Sequence, residues 1–362
     1  MRSLKIAVDG AVLNDAAGKA VYLRSVLAAW RSFKDQQFVV YGYQPLAGES
    51  WPDNWRFQPF RSRFDRVRVF RHLPEDVLFS PSSYLTTLLS NRPTLTTLHD
   101  LVIYKVPVKL PWKTVVSERL LLKRAMKRSA AITVQTESIK KDLLELLPAV
   151  GGKVRVISPG IASLVSREQL PGPDRQKQLL NTLGLRSDFI LFVGTIEPRK
   201  NISRLITAYQ QLPPELQKGH QLVIAGKVGW PDAELARWLA KPPAGVRFVG
   251  RVDDATLATL YRQALFIAYP SLYEGVGYPV LEGFYWHKPV LTANVAATAE
   301  IGAGATWLAD PYSVSALRRG LEVLLTNGAQ RQALSAAGQA KLPAFSWDKA
   351  ARAYLALLAE IA

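Results

Sequence analysis

The feature that most constrains this chain is an alternation kept up from one end to the other: short strand-like apolar runs, each followed by a longer amphipathic stretch of helical period. Apolar runs bounded by turn residues are buried strands, and strands separated by single helices are joined in parallel through crossovers. The pattern predicts an α/β fold. In the first half, strands are expected at Lys5–Val8, Phe38–Tyr41, Val77–Phe79, Thr94–Leu98, Ala131–Val134 and Val154–Ile157, with helices near Gly18–Ser32, Trp112–Lys127 and Glu137–Leu146. The segment Ser158–Asp174 loses periodicity and carries a Pro-Gly-Pro punctuation, as a connection between domains does. A second series follows, with strands at Phe189–Val193, Gln221–Ala225, Val246–Val249, Leu265–Tyr269, Pro289–Thr292 and Thr306–Leu308, and further helices from about Ser313.

At 362 residues the chain exceeds one ordinary core and suits two domains. The expected division is 1–170 and 171–345, with a helix over 346–362 packing back on the N-terminal domain. Two doubly wound, Rossmann-like domains facing each other across a cleft would bind ligands at the carboxyl ends of their strands. Hydrophobic residues make up 48% and charged residues 21%, and no apolar stretch approaches the roughly 18 residues of a membrane-spanning helix. The start, MRSLKIAVDGAVL, alternates like a strand and carries no secretion signal, which points to the cytoplasm. Cysteine is absent and the four histidines (His72, His99, His220, His287) are scattered, so disulfides and thiolate metal sites are ruled out and no metal site is expected. The formal net charge of +17 is uneven, with 26 Lys and Arg against 14 acids in residues 1–171. A field of that sign draws nucleic acid, anionic lipid or phosphorylated small molecules.

Two clusters carry chemistry. The first, Gly194-Thr195-Ile196-Glu197-Pro198-Arg199-Lys200-Asn201, lies between the strand FILFV and the helix NISRLITAYQQL. Adjacent cations at a helix N-terminus make a site for a doubly charged group such as a diphosphate, because backbone N–H groups, helix dipole and side-chain charge point the same way. Taken alone, it reads equally well as a basic helix-start loop with Glu197 paired to Arg199. The second cluster, Tyr273-Glu274-Gly275-Val276-Gly277-Tyr278-Pro279-Val280-Leu281-Glu282, again follows a strand and opens a helix. Gly275 and Gly277 let backbone amides approach a ligand, Glu274 can reach a sugar from the loop, and Glu282 can accept both hydroxyls of a ribose. In isolation the two glutamates would pass as helix-start charges favoured by the dipole.

The segments FVGTIEPRKN, IAGKVGW (Ile224–Trp230), FVGRVDDATLATLYRQA (Phe248–Ala264) and YPSLYEGVGYPVLEG (Tyr269–Gly283), with the Glu300 region, stand in the order and spacing of the retaining, GT-B-fold family 4 glycosyltransferases, which the second half resembles. The first half is similar more weakly, in IAVDG, AAGKAVYLRSVL, TLHDL and VQTES. The resemblance implies a nucleotide-sugar-binding C-terminal domain and an acceptor-binding N-terminal one. It gives Arg199 and Lys200 to the donor diphosphate, Thr195 to donor binding, Glu282 to the ribose, Glu274 with Gly275, Val276, Gly277 and Tyr278 to the transferred sugar, and the loop with Val252 to the base. Gly18 would let the loop after the first strand approach the diphosphate, although Ala20 and Val21 stand where the family often has Gly and Arg. His99 would contact the donor sugar near the acceptor hydroxyl, and Asp100 would cap the loop or orient the imidazole. Asp253-Asp254 reads as a helix cap, not a metal site.

The implied activity is hexose transfer with retention, by same-face attack or a covalent intermediate, in which protein cations neutralise the leaving diphosphate and no metal or other cofactor takes part. A GDP-sugar, mannose or a deoxymannose such as rhamnose, is the favoured donor and a UDP-sugar the second; the acceptor is a lipid-linked or surface polysaccharide. Two basic tracts bear on partners: Arg61, Arg63, Arg66, Arg68 and Arg71; and Lys105, Lys109, Lys113, Arg119, Lys123, Arg124, Lys127 and Arg128. The second, with Trp112 on its apolar side, suits the anionic inner face of the plasma membrane. A basic nucleic-acid-binding protein is the alternative from another class, and no helix-turn-helix, zinc or RNA-recognition signature supports it. A donor-binding but inactive homologue is the other alternative, and the intact cations and glutamates weigh against it.

Overall fold

The computed structural model describes residues 3–15, 18–46, 50–106, 112–161 and 166–362. Lys109 and the side chains of Trp112 and Lys113, counted above in the basic helix, lie outside them, as do residues 162–165 of the connection. The chain divides into two compact units: one takes in the described residues of 1–101, 111–162 and 345–362, the other those of 102–110 and 163–344.

In the first unit, β1 (Lys5–Asp9), β2 (Gln37–Gly42), β3 (Trp55–Pro59), β4 (Val77–Ser80), β5 (Thr94–Leu98), β6 (Ala131–Val134) and β7 (Val154–Val156) form one parallel sheet in the order β3-β2-β1-β4-β5-β6-β7. β4, β5 and β6 are buried along their whole length, as central strands covered on both faces must be. Alternate residues of β1, β2 and β4 face opposite ways and build two cores. Ile6, Val8, Val40, Val77 and Phe79 pack with the helices Gly18–Trp30 and Trp347–Ile361. Ala7, Tyr41 and Leu78 pack with Phe60, Phe70 and Leu73 around the helix Arg63–Arg71. Residues 347–361 belong to the first core through Tyr354, Leu355 and Leu358. Tyr22 Oη donates to Tyr354 Oη at 2.5 Å, and Trp30 Nε1 donates to the carbonyl of Ala351 at 3.2 Å.

In the second unit, β8 (Phe189–Val193), β9 (Leu222–Ala225), β10 (Val246–Gly250), β11 (Ala264–Tyr269), β12 (Val290–Ala293) and β13 (Trp307–Ala309) form a parallel sheet in the order β10-β9-β8-β11-β12-β13. Strand order reverses between β8 and β11, so the loops leaving these two strands diverge and open a crevice at their carboxyl ends. The loop after β8 leads into the helix Ile202–Gln210, which buries Ile202, Leu205, Ile206 and Tyr209, and the loop after β11 leads into the helix Tyr278–Tyr285. The loops after β8 and β9 touch through backbone: a Cβ on Gly226 would lie 1.9 Å from the carbonyl oxygen of Gly194, so only glycine fits there. Among the described residues no helix is long and apolar enough to cross a membrane.

Candidate active site

The two loops at the reversal point of the second sheet bring Arg199, Lys200 and Glu274 into one cluster. Ser271 and Tyr269 contribute from the end of β11, and Glu197 from the loop after β8. Glu274 Oε1 accepts from Lys200 Nζ at 2.6 Å, from Tyr269 Oη at 2.8 Å and from Ser271 Oγ at 2.5 Å. Its Oε2 lies 2.9 Å from Arg199 Nη1. Arg199 in turn places Nε and Nη2 on Glu197 Oε1, at 3.0 and 2.8 Å, and donates from Nη1 to the carbonyl of Tyr273 at 2.8 Å. Lys200 Nζ also reaches Tyr269 Oη at 2.5 Å.

The chemistry of this cluster follows from its burial. Desolvation is the largest influence on the Glu274 carboxyl and pushes its pKa up, but the charges of Arg199 and Lys200 and the hydrogen bonds from Lys200 and Ser271 outweigh it and hold the group at about 2. Glu274 is therefore an anion at any physiological pH. Burial pulls the Lys200 ammonium down from its ordinary value while the Glu274 carboxylate opposes it. The same two influences, burial first and then the charge of Glu274, push the Tyr269 hydroxyl well up, so it stays a donor.

Asn201 fixes the relation of the two loops. It sits in the left-handed region at φ 60° between the turn Pro198–Lys200 and the following helix. Its buried amide nitrogen donates to the carbonyls of Pro270, at 3.0 Å, and Pro311, at 2.7 Å, tying together the connections after β8, β11 and β13. Further along the second loop, Gly275 is half-buried, Val276 and Gly277 are buried, and Gly277 opens the helix Tyr278–Tyr285 at φ 83°. Glu282, one turn into that helix, makes its hydrogen bond outside the cluster, accepting on Oε2 from Tyr261, whose ring stacks on Trp286. With burial dominant and the Tyr261 bond only partly offsetting it, its pKa rises to about 7. Thr195 is half-buried in the first loop and Val252 half-buried after β10, where Asp253 caps the next helix by accepting from the Thr256 N–H at 2.8 Å. Among the described residues no group of three or more His, Asp and Glu is disposed to hold a metal ion.

Gly18 and His99 belong to the first unit. Gly18 is exposed at the first position of its helix. His99 follows β5; its Nε2 sits 2.6 Å from the carbonyl of Pro81, which makes Nε2 the protonated nitrogen, and Nδ1 faces the Gln135 amide at 3.4 Å. Burial, the largest cause, and the charge of Lys19 bring its pKa down to about 4, so the ring is neutral. One ion pair here is not apparent from sequence: Asp9, fully buried at the end of β1, is held at 3.1 Å by Arg66, which also donates to Thr86 Oγ1 at 2.8 Å. Arg66 belongs to the first basic tract of the sequence; its helical position one turn before buried Phe70 puts it on the inward face. Tyr269, Ser271 and Tyr261 were likewise missed, because aromatic and hydroxyl residues at a strand end or on a helix read as core.

Two parallel α/β units, the second with its strand order reversing between β8 and β11, give the chain the GT-B fold of solved glycosyltransferases. The chain belongs to that class by sequence as well: the family described as Glycosyltransferase Family 4 matches residues 25–163, and the one described as Glycosyl transferases group 1 matches residues 177–341. O-antigen chain mannosyltransferase B of Escherichia coli is 29% identical over 288 residues, 77% of this chain and 73% of that protein. Serotype-specific mannosyltransferase WbdA of Escherichia coli is 32% identical over 228 residues, 62% of this chain, and the match spans only 28% of that longer protein. Among solved structures, Anabaena HepE in complex with UDP-glucose has the same fold, with a TM-score of 0.76 at 15% identity over 99% of this chain and 100% of that one.

Proposed function

We propose that this glycosyltransferase moves mannose, or a deoxymannose such as rhamnose, from its GDP conjugate onto a lipid-linked or surface polysaccharide, with retention of the anomeric configuration. The observation that carries the reading is the convergence of Lys200, Arg199 and Glu274 from the two loops at the reversal point of the second sheet. A leaving diphosphate needs positive charge already in place, and preorganised charge of that kind is the main source of rate enhancement in such reactions. Lys200 and the N-terminus of the helix Ile202–Gln210 supply it, with no metal required. Glu274 and the Gly275–Tyr278 backbone bind the sugar, Glu282 the ribose hydroxyls, and the backbone around Val252 the base. The N-terminal domain, residues 1–170 with the returning helix, binds the acceptor, with Gly18 as a donor-binding residue and His99 as a catalytic one. The mannosyl choice is supported by the names of the two relatives, and a nucleotide-sugar donor by the UDP-glucose bound to HepE. The enzyme works at the cytoplasmic face of the plasma membrane, where its basic helices meet anionic lipid.

A thermal-shift series with GDP, UDP, ADP and dTDP and their sugar conjugates tests this. A ligand present at a hundred times its Kd adds about 2.7 kcal/mol of stability. Selective stabilisation by GDP and GDP-mannose without magnesium, together with loss of mannosyl transfer in Lys200→Ala, is the expected result. A response to nucleic acid and to none of the nucleotides would overturn the reading.

A further inference from the structure

Glu197, Arg199, Lys200 and Glu274 sum to zero charge and are paired with one another in a buried place. A diphosphate entering this cluster adds negative charge to a site that is already neutral. Unless something gives way, the anion is left uncompensated at low dielectric, which is costly. The two cations are held very differently. Arg199 is anchored by four contacts, two of them to Glu197, which has no other cation among its recorded ion pairs. Lys200 meets one carboxylate oxygen and one hydroxyl at the end of a flexible stem. Lys200 is thus the group free to exchange partners, and Arg199 is not.

We propose that Glu274 stands in for the donor diphosphate at Lys200 while the site is empty, and that Arg199 is a positioning residue that holds Glu274, not a phosphate ligand. This rests on the donor-binding reading given above. When the nucleotide binds, Lys200 leaves Glu274 Oε1 for a phosphate oxygen. Oε1 keeps its bonds from Tyr269 and Ser271 and gains room to accept a hydrogen bond from a sugar hydroxyl, while Arg199 retains Oε2. One exchange therefore delivers the cation to the leaving group and the carboxylate to the sugar. The same exchange makes the empty site self-neutralised, so that free phosphate is a poor ligand for it.

Calorimetric titration with GDP and with UDP tests the assignment. For whichever nucleotide binds, Glu274→Gln should bind about ten-fold more tightly than the unmodified protein, because a competing anion is gone, and Lys200→Met at least ten-fold more weakly. Arg199→Lys should keep the affinity within about two-fold while lowering kcat at least ten-fold on GDP-mannose, or on UDP-glucose if UDP is the nucleotide bound, with KM little changed. Equal or weaker binding by Glu274→Gln, or a loss in Arg199→Lys matching that of Lys200→Met, overturns the proposal and leaves the donor-binding reading standing. Failure of the unmodified protein to bind either nucleotide overturns both. Should the variants misfold, a structure of the unmodified protein with the nucleotide bound decides: Lys200 Nζ on a phosphate oxygen and away from Glu274 supports the exchange, and the 2.6 Å contact retained beside a bound phosphate refutes it.

Discussion

Glu274 and Glu282 lie eight positions apart and end in opposite electrostatic states. Two cations hold Glu274 ionised, whereas Glu282 has only a tyrosine hydroxyl in a buried site and is raised to about 7. Because native Glu282 binds its proton more tightly than an unfolded glutamate, its stabilising contribution is complete below about pH 4.5 and is lost as pH climbs to about 7. At 1.36 kcal/mol per pH unit the loss comes to about 3 kcal/mol. Glu282→Gln, which keeps the shape without the ionisation, should therefore gain stability on the nucleotide-free wild type between pH 5 and pH 8. A difference in melting temperature that stays constant over that range would contradict this. At this scale the sequence shows the residue types and their spacing but not which partner wins. The Glu197–Arg199 pairing is legible from two positions in one turn. Tyr261 is not, since its contact with Glu282 depends on packing of two helices distant in sequence.

Among the elements, strands marked by an apolar run were the legible ones: β5, β6 and β8 lie at the expected residues, and β9 to β13, the edge strands β10 and β13 included, within one or two. β3 was missed because an edge strand need bury only part of itself, and Trp-Arg-Phe-Gln-Pro shows no continuous apolar run. The helix Arg63–Arg71 was read as a basic tract because it buries only Phe70 fully, and Tyr84–Leu89 is too short to show a period. The loops of the site depend on Asn201, which combines tolerance of the left-handed region with an amide donor for two carbonyls. Asn201→Ala strands those carbonyls and strains the turn, at a cost of about 3 kcal/mol. Asn201→Asp keeps the turn but supplies no donor, so it should also destabilise. Urea unfolding measures both; a change under about 1 kcal/mol in each would show that the tie is dispensable.

At the scale of the whole molecule, the positive charge gathers on helices of the first unit that also expose apolar side chains. Phe64 is 88% exposed beside Arg63, Arg68 and Arg71, and Leu120 is 57% exposed beside Arg119, Lys123 and Arg124. Among the described residues none of these cations is ion-paired. Charge of this kind is worth about 1 kcal/mol per residue against an anionic bilayer. Vesicles of phosphatidylcholine with phosphatidylglycerol should therefore retain the protein at low salt, and those of phosphatidylcholine alone should not. Exchanging Arg68, Arg71, Lys123 and Arg124 for Gln should weaken retention at least a hundred-fold, and unchanged retention would remove the membrane from the proposed function. The helix Trp347–Ile361 has a different consequence, one of timing. It completes the core of a unit whose strands are all made before residue 157, yet residues 163–344, the bulk of the second unit, are synthesised in between. The ribosome thus releases the first sheet with one flank uncovered for as long as it takes to translate some 190 codons, about 10 to 40 seconds at ordinary elongation rates. The half of the enzyme that begins first finishes last, and chaperones have that interval in which to meet its unclosed face.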